Sequence, residues 1–179
     1  MPFNRSLKVI GCLLALIVLP RPAALAGTRE YEIKAAYLYN FLNYIEWPNG
    51  SLPPEGGTIT IGVVGENPFG EALDPLKGKQ VKGRTLAVRQ VSSAADLKGC
   101  QIVFISASEK DRYPQLLDSL KDSRTVTVSE IDGFTQRGGM INFIYERNRV
   151  RFEINQDAAR SKGLTISSEL LKLARLVKA

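Results

Sequence analysis

Apolar residues in the stretch from Glu30 to Trp47 fall at Ile33, Tyr37, Leu38, Phe41, Tyr44 and Ile45, the spacing of one stripe along an amphipathic helix. Thr28 stands where an N-cap belongs, and Pro48-Asn49-Gly50 supplies a stop. The pattern then changes period. Thr58–Val64 is β-branched and almost wholly apolar, which predicts a strand covered on both faces. It ends in Gly65-Glu66-Asn67-Pro68, a strand-to-helix junction.

The alternation continues with a short helix over Phe69–Leu76, a strand over Thr85–Val91, a helical turn over Ser92–Leu97 and a strand over Gln101–Ile105. A helix from Ser106 to Leu120 and a strand over Thr125–Val128 follow. Helices and strands taking turns predict an α/β domain with a largely parallel central sheet and helices on both faces. The C-terminal part departs from this order. Met140–Tyr145 and Val150–Ile154 flank a four-residue link, Glu146–Arg149, and read as an antiparallel hairpin. Asn155 caps a helix to Lys162, Gly163 ends it, and Ser167 with Glu169 opens a last helix through Leu170–Val177.

The first 26 residues stand apart from that plan. Arg5 and Lys8 precede an apolar run from Val9 to Leu19, and Ala24-Leu25-Ala26 closes the segment, the order of a secretory signal peptide cleaved after Ala26. The run is shorter than the roughly 20 residues that span a bilayer as a helix, so no stable membrane insertion is expected. Cys12 after Val9-Ile10-Gly11 offers a lipoprotein reading, but the apolar run continues past it. The expected organisation is a signal peptide, 1–26, and one α/β domain, 27–179. Export places that domain outside the cytoplasm.

Charge changes meaning once that segment is set aside. The 179-residue chain carries 24 Lys and Arg against 18 Asp and Glu, a net +6. Removing Arg5, Lys8 and Arg21 leaves 21 basic residues against the same 18 acids, a net +3. Nothing in that balance calls for nucleic acid. The chain has no histidine, which excludes Ser-His-Asp and Cys-His nucleophile systems and histidine metal sites. No catalytic residue, metal or cofactor is expected, and an enzyme is the third choice among function classes. Of the two cysteines only Cys100 lies in the mature domain, where it reads as a core thiol ahead of a buried strand.

Three groups of residues are candidates for function. Gly65, Glu66 and Asn67 sit beyond a strand at the sheet's carboxyl edge, where open α/β sheets take small ligands. Their spacing matches no phosphate-loop motif. Glu66, Glu109 and Asp132 all follow predicted strands, although acids are also favoured at such turns by exposed amides. The hairpin is the third. Arg147, Arg149 and Arg151 with Glu146 and Glu153 alternate along it next to Phe152, a charged face suited to docking. On the first helix Tyr37, Phe41 and Tyr44 read as core, and Tyr39, Asn43 and Glu46 as another, exposed face.

Ile33-Lys34-Ala35-Ala36-Tyr37-Leu38-Tyr39-Asn40-Phe41 with Glu46-Trp47-Pro48 resembles the opening signature of the YfiR-like family of bacterial periplasmic proteins. Gly138-Gly139-Met140-Ile141, Val150–Asn155, Ala158-Ala159 and Gly163–Ala174 resemble its C-terminal signature. The resemblance implies a non-catalytic regulator that binds the periplasmic domain of an inner-membrane signalling protein, a diguanylate cyclase, and represses it. Cyclic di-GMP and biofilm formation would fall. The expected oligomer is a homodimer. Family members often carry paired cysteines; here Phe134 and Ile141 occupy the region of one such pair, and Cys100 has no mate. The expected partner-binding residues are Arg149, Arg151, Phe152 and Glu153, with Tyr39 and Glu46 second. The alternative is a small-ligand sensor using Gly65, Glu66 and Asn67.

Overall fold

The computed structural model describes residues 24–178. The signal-peptide reading and its Cys12 alternative therefore fall almost wholly outside the described residues. Helix α1 (Ala24–Tyr44) leads into the short strand β1 (Ile45–Glu46). Strands β2 (Thr58–Val64), β3 (Gln80–Val81) and β4 (Arg84–Val91) follow, with a 3-10 turn at Gly70–Leu76 between the first two. Next come α2 (Ala94–Lys98), β5 (Ile102–Ile105), α3 (Tyr113–Ser119) and β6 (Val126–Ser129). The C-terminal part holds β7 (Ile141–Glu146), β8 (Arg149–Asn155), α4 (Gln156–Arg160), β9 (Thr165–Ile166), α5 (Ser168–Leu173) and β10 (Arg175–Val177).

Eight strands form one sheet in the order β10-β8-β7-β6-β5-β2-β4-β3, and β1 pairs antiparallel with β9 beside it. Neighbours from β7 to β4 run parallel, the two antiparallel steps being β7 with β8 and β3 with β4. One face is covered by α1, the 70–76 turn, α4 and α5. Leu38, Phe41 and Leu42 from α1 meet Ile61, Phe104, Phe143 and Phe152 there. On the other face α2 and α3 bury Leu97, Tyr113 and Leu120 against Val64, Val103 and Ile105. The expected mixed α/β domain with a C-terminal antiparallel pair is what forms.

Several local expectations are corrected. Helix α1 starts before Thr28, which lies within it rather than capping it, and stops at Tyr44 because Ile45 and Glu46 pair with Ile166 and Thr165. Tyr44 is not core; it is 44% exposed. Residues 70–76 form a 3-10 turn with Pro75 inside, a residue that has no N–H to give an α-helix. The helix expected over 106–120 divides into a 3-10 turn at Ala107–Glu109 and α3, because Pro114 is tolerated in a first turn and not in a helix interior.

The hairpin link is two residues, not four. Glu146 pairs with Arg149 and the turn is Arg147-Asn148, with φ of 48° and 63°, the left-handed pair of a type I′ turn. The last helix ends at Leu173. Ala174 is extended, and Arg175–Val177 adds to the sheet parallel to Glu153–Asn155.

Candidate functional site

Connections leaving β2 run towards β4, and those leaving β5 run towards β6, so the crevice expected to hold a ligand lies between the carboxyl ends of β2 and β5. Gly65, Glu66 and Asn67 are there, and the protein's own groups occupy them. The Glu66 N–H donates to Ser108 Oγ at 2.9 Å, and Asn67 Oδ1 accepts the Phe69 N–H at 3.0 Å. Gly65 has φ +84°, and a Cβ on it would stand 2.4 Å from Ser108 Oγ and 2.7 Å from Glu109 Cγ. The turn after β5 therefore plugs the crevice. Glu109 pairs with Arg112 at 3.4 Å. Among the described residues no three acids or thiols come together as a metal-binding group, so Glu66, Glu109 and Asp132 do not converge.

Register divides the hairpin residues between two faces. Phe152 lies opposite Phe143 and points into the core, 1% exposed, with its ring centroid 5.1 Å from Tyr37 and 5.2 Å from Phe41. Arg149, Arg151 and Glu153 point to the other face, where the 3-10 turn at Thr135–Arg137 packs at the Glu153 end. Glu153 is 3% exposed. Thr135 Oγ1 donates to its Oε2 at 2.8 Å, and the Arg175 guanidinium donates to its Oε1 through Nε at 2.9 Å and through Nη2. Arg175 Nη1 also reaches Glu146 at 3.1 Å. Phe152 and Glu153 are thus buried rather than displayed, a burial invisible in an alternating charged pattern. Both acids of this face are engaged by Arg175. Arg149 and Arg151 are exposed, with neither an ion pair nor a side-chain hydrogen bond among the described residues.

Tyr39 and Glu46 lie elsewhere. Tyr39 donates to the Gln80 carbonyl at 3.1 Å and carries Lys79 Nζ 5.2 Å from its ring centre, so it fastens β3, the far edge of the sheet. Glu46 is exposed on β1 near Lys82, whose Nζ donates to the Ile45 carbonyl at 2.8 Å. Burial pushes the Lys82 ammonium below its usual range, with Glu46 opposing that effect. The two sets of expected partner residues therefore occupy opposite edges and form no single patch.

Two features escaped the sequence reading. Lys34 is 4% exposed, its Nζ 2.5 Å from Glu30, 2.6 Å from Glu130 and 4.4 Å from the Tyr31 ring centre. The Tyr31 hydroxyl donates to Glu130 at 3.1 Å, and burial with the adjacent carboxylate pushes that phenol well above its ordinary range. The signal was present: position 34 belongs to the buried stripe with Leu38, Phe41 and Ile45, where a lysine needs partners. The second feature is a groove of about 480 Å³ between the N-terminal half of α1 and the hairpin tip. Ile33, Tyr37, Tyr145 and Val150 give it an apolar floor beside Arg29 and Arg149.

No helix among the described residues is long and apolar enough to cross a membrane. No curated protein sequence matches the chain. A solved conserved domain protein from Vibrio cholerae O1 biovar eltor superposes with a TM-score of 0.55 at 14% identity, over 83% of this chain and 60% of that one. An ABC domain from Streptococcus pneumonia in complex with L-Trp superposes with a TM-score of 0.48 at 13% identity, over 66% of this chain and 55% of that one. The chain thus spans little more than half the length of these two structures, and the first likeness concerns the fold alone. Residues 31–175, nearly all of the described chain, match the model of the YfiR/HmsC-like family, and this protein belongs to that family.

Proposed function

We propose that this protein is a periplasmic, non-catalytic regulator, exported by a cleaved signal peptide and acting as a homodimer. It binds the periplasmic domain of an inner-membrane diguanylate cyclase and holds it in its inactive form. Cyclic di-GMP and biofilm formation fall as a result. The mechanism is a population shift: a repressor with higher affinity for the inactive partner moves the equilibrium by that difference in affinity.

Family membership supports the regulatory class. The observation that carries the binding role is the tip of the hairpin, where Arg149 and Arg151 stand exposed and, among the described residues, unpaired while Glu146 and Glu153 are engaged by Arg175. Unpaired guanidinium groups on a rigid strand pair are suited to a complementary protein surface. The small-ligand alternative has less support, since Ser108 and Glu109 fill the crevice at Gly65, Glu66 and Asn67.

The test is cellular cyclic di-GMP with and without the gene, complemented by the full chain and by a form lacking residues 1–26. Deletion is expected to raise the nucleotide, and only the exported form to restore it. Unchanged cyclic di-GMP while the protein is being made would refute the cyclase as partner.

A further inference from the structure

Helix α1 and the hairpin pack tightly at Phe143 and Phe152 and leave a groove nearer the hairpin tip. Along α1, Arg29, Ile33 and Tyr37 recur every four residues and so lie on one line. Tyr37 shows where that line points, its ring centroid lying 5.1 Å from Phe152 and 6.2 Å from Phe143. On the hairpin, Tyr145 pairs with Val150, two residues closer to the tip than the Phe143–Phe152 pair, and both therefore stand on the same face, toward α1. Here the packing is incomplete. Ile33 is 41% and Tyr145 56% exposed, and with the buried Val150 they line the groove of about 480 Å³. The Tyr145 hydroxyl donates to Asn148 Oδ1 at 3.0 Å, which holds the ring at the rim.

The groove is basic as well as apolar. Arg29 from the helix and Arg149 from the hairpin line it, and among the described residues neither has an ion pair or a side-chain hydrogen bond. The acids close by are committed elsewhere: Glu30 to Lys34 at 2.5 Å and Glu146 to Arg175 at 3.1 Å. Glu32, next to Ile33 in sequence, lines a different groove, beside Pro68 and Pro75. Arg147 in the turn is exposed too and adds to the positive field.

We propose that this groove receives one large apolar side chain of the protein's partner, carried on a segment whose adjacent residues are aspartate or glutamate. The apolar side chain covers Ile33 and Tyr145, and the neighbouring carboxylates accept from Arg29 and Arg149. This rests on the proposed function, because it names the partner chemistry at the same hairpin tip. Charge decides against a second copy: docking groove to groove about a twofold axis would set Arg29 and Arg149 against the same pair, with no uncommitted acid in either groove. Shape decides against a free small molecule. Sites for such ligands enclose about 70–90% of the ligand, whereas both walls of this groove stand open to solvent.

The probe is an array of end-capped nine-residue peptides with tryptophan, phenylalanine or leucine at the centre, aspartate or glutamate around it and serine elsewhere. Controls carry alanine at the centre, or lysine in place of the acids. Binding to the exported protein is read by fluorescence polarisation. Acidic peptides with a large apolar centre are expected to bind about tenfold or more tighter than either control. Ile33→Ser/Tyr145→Ser should abolish the preference over alanine, and Arg29→Glu/Arg149→Glu the preference over lysine, each with about a tenfold or greater loss of affinity at an unchanged thermal midpoint. All four residues are exposed, so both variants should fold. The proposal is overturned when alanine-centred peptides bind equally well, when neither variant weakens binding, or when no peptide of the array binds. Capture of phosphatidylglycerol vesicles through the same four residues, or self-association that both variants abolish in analytical ultracentrifugation, would overturn it in favour of a lipid surface or a second copy. A protein that fails here yet represses cyclic di-GMP keeps its function and loses the groove; one that binds the peptides without changing cyclic di-GMP loses the cyclase and keeps the groove.

Discussion

Lys34→Met tests how the buried charge cluster is held. Methionine keeps the unbranched shape and most of the apolar contact of lysine, so the change removes chiefly the ammonium. The Lys34 side chain is 6% exposed, and its partners Glu130 and Glu30 are 14% and 28% exposed. Removing one partner of a buried pair costs about 3–5 kcal/mol, because the remaining charge stays out of water. Two features reduce that here. Glu30 is near enough to solvent to rehydrate, and Tyr31 still donates to Glu130, a bond to a charged acceptor that offsets about 1–2 kcal/mol. The expected loss is about 2–4 kcal/mol at pH 7, or a fall in Tm on the order of 5–12 °C for a domain of this size. Urea unfolding at constant m-value is the assay. The control is Lys34→Met with Glu130→Gln, which removes the stranded charge and is expected to recover at least about 1 kcal/mol relative to Lys34→Met alone. A loss under about 0.5 kcal/mol, or a double variant no better than the single one, would refute the view that Lys34 compensates Glu130.

Arg175→Ala should release β10, because Glu153 keeps only Thr135 as a donor; exchange at Ile154 and Val177 is expected to speed up first, and unchanged exchange would show that the strand is held by its backbone alone. Cys100 lies 2% exposed, and burial raises its thiol pKa, with Arg89 opposing. A raised native value means its contribution to stability is complete below the unfolded thiol pKa and is lost as pH rises through the native one. The thiol should therefore alkylate on the order of tenfold or more slowly in the native protein than in urea at pH 8.5, and equal rates would contradict the burial. Gly65→Ala combines a left-handed φ with contacts of 2.4 and 2.7 Å and is expected to cost about 1–3 kcal/mol in urea unfolding. Adding Ser108→Ala should return part of it, and a neutral Gly65→Ala would mean that the plug yields freely.

Periodicity was enough for the elements whose state is decided locally. The apolar runs of β2 and β5 became central parallel strands, and two caps formed as read: Asn155 Oδ1 accepts the Ala158 N–H at 2.9 Å, and Ser167 Oγ accepts the Leu170 N–H at 3.2 Å. What escaped depends on contacts distant in sequence. Leu170-Leu171-Lys172-Leu173-Ala174-Arg175-Leu176-Val177 carries good helix formers to its end, yet its last three residues become a strand because Arg175 meets Glu153 and β8 offers a free edge. Glu153 follows the same logic. Alternation placed it on the face of Arg149 and Arg151, as found, but only the packing of the 135–137 turn and β10 against that face decides that it is buried. Of the four expected partner residues on the hairpin, the pair legible without such contacts, Arg149 and Arg151, is the pair that stays exposed.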